Sequence, residues 1–235
     1  MRSQLFDVAL QERQTQETWA LQSHKMLKVT LGPDVLAAKG AMVAYQGQVQ
    51  FQHEGAGSVQ KLMKKVLTSE DTPLMRVSGQ GEVFFARAAE NVFTIQLEGD
   101  GISVDGKNLL AFDASLHWDI KRVHGAGMMS GGLFNVEIGG QGQVALTSDG
   151  PPMLLDCSQQ PTFVDIQAAV AWSANLQPQV RSSMNMRSML RGGSGEAFQY
   201  AFSGPGFVVV QPSEGQPVPT SGQQGNSGIV GQLFS

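Results

Sequence analysis

Three heptads in this chain share one pattern: VAYQGQV from Val43 to Val49, LAFDASL from Leu110 to Leu116, and VAWSANL from Val170 to Leu176. Each reads aliphatic, Ala, aromatic, polar, small, polar, aliphatic, and they recur at intervals of roughly 60 residues. A repeat of this length constrains the fold strongly, because each copy must be one structural unit that buries its apolar face against its neighbours. A second triplet follows the first. RVSGQGEVFF, EIGGQGQVAL and AFSGPGFVVV centre on Gly79/Gly81, Gly140/Gly142 and Gly204/Gly206. Around each glycine pair the apolar residues alternate: Val77, Val83 and Phe85, then Ile138, Val144 and Leu146, then Phe202, Val208 and Val210. Alternation of period two across a Gly-x-Gly predicts a strand that bends sharply while keeping one face inward.

The fold expected is therefore all-β: three tandem units of β-sandwich or β-roll type laid side by side. Charged residues make up only 15% of the chain and there are 28 glycines, which suits short strands and tight turns better than helices with wet, charged faces. Further strand signals lie at Val92 to Leu97, Ile102 to Val104 and Met153 to Leu155, with turns at Asp100-Gly101 and Asp149-Gly150. One short helix is expected at Ser58 to Leu67, where Val59, Leu62, Met63 and Val66 recur at helical spacing. The organisation read from this is a single three-repeat β domain over 1–211, with approximate units 21–100, 101–160 and 161–211 and N-terminal residues completing the sheets. A flexible Gly/Pro/Ser/Gln linker follows over 212–228, and a short apolar tail over 229–235. In this frame Tyr45, Phe112 and Trp172 are expected at equivalent core positions, the aromatic and the Ala before it facing opposite ways.

A net charge of −4 gives no overall pull toward nucleic acid or anionic lipid, so nucleic acid is not an expected partner. The single cysteine, Cys157, excludes a disulfide framework within the chain and any multi-cysteine metal site. No stretch approaches the length needed to span a bilayer as a helix, and the N-terminal residues lack the apolar run of a signal peptide. A cytoplasmic location is expected.

Catalytic chemistry finds no constellation. The glycine pairs lead into strands, whereas a dinucleotide cradle opens a helix. His24, His53, His117 and His124 are scattered, and His117 shares its repeat position with Gln50 and Gln177, so no metal site is expected. Asp105 and Asp165 are repeat equivalents suited to turn hydrogen bonds. Cys157 sits in no nucleophile motif. Neither an enzymatic activity nor a cofactor is expected.

One feature exceeds a bland reading. Between heptad and Gly-x-Gly strand each copy carries a methionine-containing segment, with Met63 in the first, Met128 and Met129 in the second, and Met184, Met186 and Met189 in the third. Lys61, Lys64 and Lys65 accompany the first, and Arg187 and Arg191 the third. Methionine offers a pliable surface to partners of variable shape, and cations beside apolar residues suit an acidic partner or a membrane interface. The function expected is a non-enzymatic interaction or scaffold module that engages a protein partner, itself or a membrane surface through these residues.

The heptads, the three Gly-x-Gly strands, the early KMLKVTL and the segment KLMKKVLTSEDTPLMRVSGQGEVFFA together resemble the altered inheritance of mitochondria protein 24 family, also called the mitochondrial biogenesis family, over approximately Leu21 to Gln211. The resemblance implies three units, each like the tryptophan RNA-binding attenuation protein fold, around a pseudo-threefold axis. The lack of an Arg-rich, acid-poor transit segment points to a bacterial member, and fold analogy alone offers an alternative role in binding a ligand or RNA.

Overall fold

The computed structural model describes residues 2–53, 74–122, 134–182 and 198–213. Among these the chain is all-β, with 3₁₀ turns as its only helical elements. Its strands are β1 (Trp19–Ser23), β2 (Met26–Leu31), β3 (Val35–Ala38), β4 (Met42–His53), β5 (Leu74–Phe85), β6 (Asn91–Asp105), β7 (Leu109–Asp113) and β8 (His117–Arg122). There follow β9 (Phe134–Ser148), β10 (Met153–Asp156), β11 (Thr162–Asp165), β12 (Ala169–Ser173), β13 (Gln179–Ser182), β14 (Phe198–Phe202) and β15 (Phe207–Val210). A large sheet runs β1-β2-β5-β3-β7-β9-β6-β12-β15-β10, with β4 also on β5 and β8 also on β9; β11-β14-β13 form a second sheet. All pairings are antiparallel.

The three heptads pair by one rule. Met42, Ala44 and Tyr45 oppose Phe85, Phe84 and Val83. Leu109, Ala111 and Phe112 oppose Leu146, Ala145 and Val144, and Ala169, Ala171 and Trp172 oppose Val210, Val209 and Val208. In each case the register slips at the residue before the Ala, the mark of a bulge. The bulge lets the Ala and the aromatic keep their alternation after the aliphatic residue that opens the heptad. Beyond this point the three heptads diverge. β4 continues unbroken beside β5 to the pair His53–Met75. The second and third heptads instead turn, with Leu116 N–H donating to Asp113 C=O at 3.0 Å and Leu176 N–H to Ser173 C=O at 2.9 Å.

The expected alternation around the glycines is met in the core. Val77, Val83, Phe85, Ile138, Val144, Leu146, Phe202 and Val208 are all buried, and Val210 half-buried. Phe112 is 0% exposed and Trp172 3%, the latter against Tyr200 and Phe202 at 5.2 and 5.3 Å between ring centroids. Tyr45 departs from expectation: it is 49% exposed and meets Phe51 edge-on at 5.3 Å. The physical cause is a missing neighbour. β7 is flanked by β9 and β3, and β12 by β15 and β6, whereas among the described residues β4 has β5 alone.

Asp100-Gly101 does not end a strand: β6 runs straight through it, absorbing the extra residues as a bulge between Glu98 and Gly101. The helix expected at Ser58 to Leu67 lies outside the described residues, as do most of the linker and all of the tail. At the C-terminal end of the described chain, buried Gln211 accepts from Asp149 N–H at 3.0 Å and donates to Gln167 C=O at 3.2 Å, which ties the last strand to the sheet.

Candidate functional site

Every residue of the expected interaction surface lies outside the described residues: Lys61, Met63, Lys64 and Lys65 in 54–73, Met128 and Met129 in 123–133, and Met184, Met186, Arg187, Met189 and Arg191 in 183–197. The strands that carry these segments are described. Each segment joins the two ends of an antiparallel pair, closing on His53–Met75, Arg122–Phe134 and Ser182–Phe198 respectively.

The structure places the other candidate residues individually. Asp105 and Asp165 each accept from the backbone N–H two residues on, from Lys107 at 3.0 Å and Gln167 at 2.7 Å, which is turn chemistry. His24, His53 and His117 are exposed and separate, and His124 lies outside the described residues. Among the described residues no three His, Cys, Asp or Glu side chains converge as metal ligands, and no helix is long and apolar enough to cross a membrane. Cys157 is buried, and burial pushes its thiol above the ordinary range, so little thiolate forms at neutral pH.

Two features escaped the sequence. The first is Lys28, from KMLKVTL, one of the largest fully buried side chains. Its ammonium donates to Glu12 and Glu82 at 2.7 Å each and to the Arg13 carbonyl at 3.1 Å, so all three donors are used. Burial alone would lower its pKa, but the hydrogen bonds to Glu12 and Glu82 outweigh burial and hold it above the ordinary lysine value. Glu12 is held below its ordinary value, chiefly by its hydrogen bond to Lys28. The cluster pins the N-terminal segment across β2 and β5, and Glu12 also accepts from Gln46 Nε2 of β4 at 2.9 Å. Signal for it was weak, because partners 16 and 54 residues away share no local pattern with Lys28.

Lys28→Met is expected to cost about 1–3 kcal/mol at neutral pH, less than a fully buried pair would, because both carboxylates keep some contact with water. Glu12's lowered pKa contributes stability above its unfolded value of 4.5 and loses it as pH falls through the folded value. The gap between wild type and Lys28→Met should therefore narrow below about pH 4.5 in denaturant titrations. A gap that widens in acid would refute this reading.

The second feature is an exposed surface along β4. Tyr45, Gly47, Gln48, Val49 and Gln50, with Gly79 and Gln80 of β5, line an open groove of about 380 Å³ at the bend of the ribbon. Val43 is 51% exposed beside it. Its lining is uncharged, with Gln48, Gln50 and Gln80 beside Tyr45 and Val49.

The fold is shared with a crystallised Streptococcus pyogenes protein: the TM-score is 0.67 over 83% of this chain and 92% of that one, at 19% sequence identity. No curated protein matches the sequence. A family model described as mitochondrial biogenesis AIM24 matches residues 19–213, which takes in every strand of both sheets.

Proposed function

The chain belongs to the mitochondrial biogenesis AIM24 family, and from that premise we propose that it is a non-enzymatic scaffold that holds a protein partner through its three methionine-containing segments. The observation that carries this reading is the shared attachment of those segments: each joins the ends of a corresponding antiparallel strand pair. A frame that repeats one attachment point three times is suited to presenting three copies of a contact, with Met63, Met128, Met129, Met184, Met186 and Met189 as its apolar part. We read that frame as three quasi-equivalent units, approximately 21–100, 101–160 and 161–211. Their common heptad register supports this. A bacterial cytoplasm is the proposed setting, supported by the lone free thiol and the bacterial structural neighbour.

Ligand or RNA binding has no specific observation behind it. Fold analogy does not carry function, and the net charge of −4 opposes an RNA partner. The test is affinity capture from the native lysate with wild type and with two double variants, Met128→Ser/Met129→Ser and Met186→Ser/Met189→Ser, with liposome flotation alongside. Loss of a protein captured by wild type is the expected result. Identical capture by all three proteins would end the proposal, and flotation lost only in the variants would replace the protein partner with a membrane.

A further inference from the structure

Among the described residues, two strands lack a neighbour that their counterparts possess. The second-heptad strand β7 pairs on its outer side with β3: Val35 opposes Asp113, Leu36 opposes Phe112, and Ala37 opposes Ala111. The third-heptad strand β12 pairs in the same way with the second half of β6: Ile102 opposes Ser173, Ser103 opposes Trp172, and Val104 opposes Ala171. By the same rule the first-heptad strand β4 should receive a strand opposite Tyr45. β11 is the strand that corresponds to β3 and to the second half of β6. Val35 opposes Val77, Ile102 opposes Ile138 and Thr162 opposes Phe202, each two residues before the first glycine of its Gly-x-Gly pair. β11 should therefore give a strand to a heptad. Yet β11 pairs only with β14 and β4 only with β5 among the described residues, so no third junction closes within the chain.

The burial at the two formed junctions shows what this leaves open. Phe112 and Leu36 are 0% and 1% exposed, and Trp172 and Ser103 3% and 7%. At the unformed one, Tyr45 and Phe163 are 49% and 52% exposed. The β4 edge also lacks the usual defences. From Met42 to Gln52 it contains no charged residue and no proline, where a strand that must stay solitary carries lysines, prolines or an early end.

We propose that this chain self-assembles head to tail, the β4 edge of one copy pairing antiparallel with the β11 edge of a second. The register follows from the two junctions inside the chain: Thr162 opposes Gln46, Phe163 opposes Tyr45, and Val164 opposes Ala44 of the neighbouring copy. Tyr45 and Phe163 then form a directly opposed cross-strand aromatic pair, and the heptad aromatic gains the cover that Phe112 and Trp172 already have. Because the two edges differ, the contact is heterologous and repeats from copy to copy until a ring closes. This interface shares no residue with the methionine segments and stands or falls apart from them.

Light scattering coupled to size-exclusion chromatography on the full chain is the first measurement, with expected masses at integral multiples of 25.1 kDa. Tyr45→Lys and Phe163→Lys should each return the 25.1 kDa monomer, and near-wild-type circular dichroism in each would show that the fold persists. Cysteine pairing tests the direction. Tyr45→Cys and Phe163→Cys chains, mixed and oxidised, should form a disulfide between residues 45 and 163, while neither alone should form a dimer through its introduced thiol. These substitutions sit on exposed positions, so the crosslink reads the contact even if a lysine variant fails to fold. A monomeric wild type over a wide concentration series would overturn the proposal. So would an assembly untouched by both lysine substitutions, or dimers within either single-cysteine pool, which would mean like edges meet like.

Discussion

Gly81→Ala is expected to destabilise the chain by about 3 kcal/mol or more, a loss that combines a forbidden backbone conformation with a backbone collision. Gly81 has φ +147°, and a Cβ built there would fall far inside van der Waals distance of the Gln46 carbonyl oxygen. That oxygen cannot retreat cheaply, because Gln46 is held in the β4–β5 ladder by its pairing with Glu82. Gly79 stands likewise against Gln48, so the two glycines are where the paired strands β4 and β5 bend together. Gly204→Ala is the informative control. Its φ of +119° is equally unfavourable to a side chain, but its nearest neighbour is a methyl of Leu176 at 3.6 Å. Strain without collision should cost about 1–3 kcal/mol. At fixed protein concentration, melting midpoints of the two variants would separate these contributions. Equal losses would show that the approach of β4 to the bend contributes nothing.

This difference between the Gly-x-Gly strands also marks the limit of what the sequence disclosed. The alternation around each Gly-x-Gly predicted bent strands with one face inward, since period two is a local property and one bend needs only local glycine. The same reading placed Tyr45 in the core, and there it failed. Whether the heptad aromatic is buried depends on the strand that lies on the far side of the heptad, β3 for Phe112 and β6 for Trp172. Each of those strands comes from a distant part of the chain, and among the described residues no such strand lies against β4. The Lys28–Glu12–Glu82 cluster was hidden for the same kind of reason: its members join only when β2, β5 and the N-terminal segment are already assembled. The methionine segments were legible as composition, and their shared attachment to corresponding strand pairs became apparent only from the strand pairing.

Phe112→Ala should be the most costly of the three aromatic truncations for which the heptads allow a comparison. Phe112 is 0% exposed, packs among Leu36, Leu116, Val144 and Leu146, and lies edge-on to Trp118 at 6.4 Å. It sits where β3, β7 and β9 meet, so the hole left by its ring is walled by paired backbone on both sides and cannot collapse. Deleting a large ring from such a site costs about 3–5 kcal/mol, which for a chain of this length lowers the melting midpoint by about 6–20 °C. Trp172→Ala removes a larger side chain, but from a site shared with Tyr200 and Phe202 at the smaller sheet, where short strands can shift to fill part of the space. Its loss should fall at or below that of Phe112. Tyr45→Ala, at an exposed position of the isolated chain, should cost about 0.5 kcal/mol or less when measured at a concentration too low for assembly. Raising the concentration adds a term to the last variant alone, because stability that comes from a neighbouring copy grows with the amount of that copy. An aromatic series whose ranking is indifferent to concentration would therefore count against head-to-tail pairing, whereas a Tyr45→Ala deficit that grows as the protein is concentrated would place that ring in the third junction.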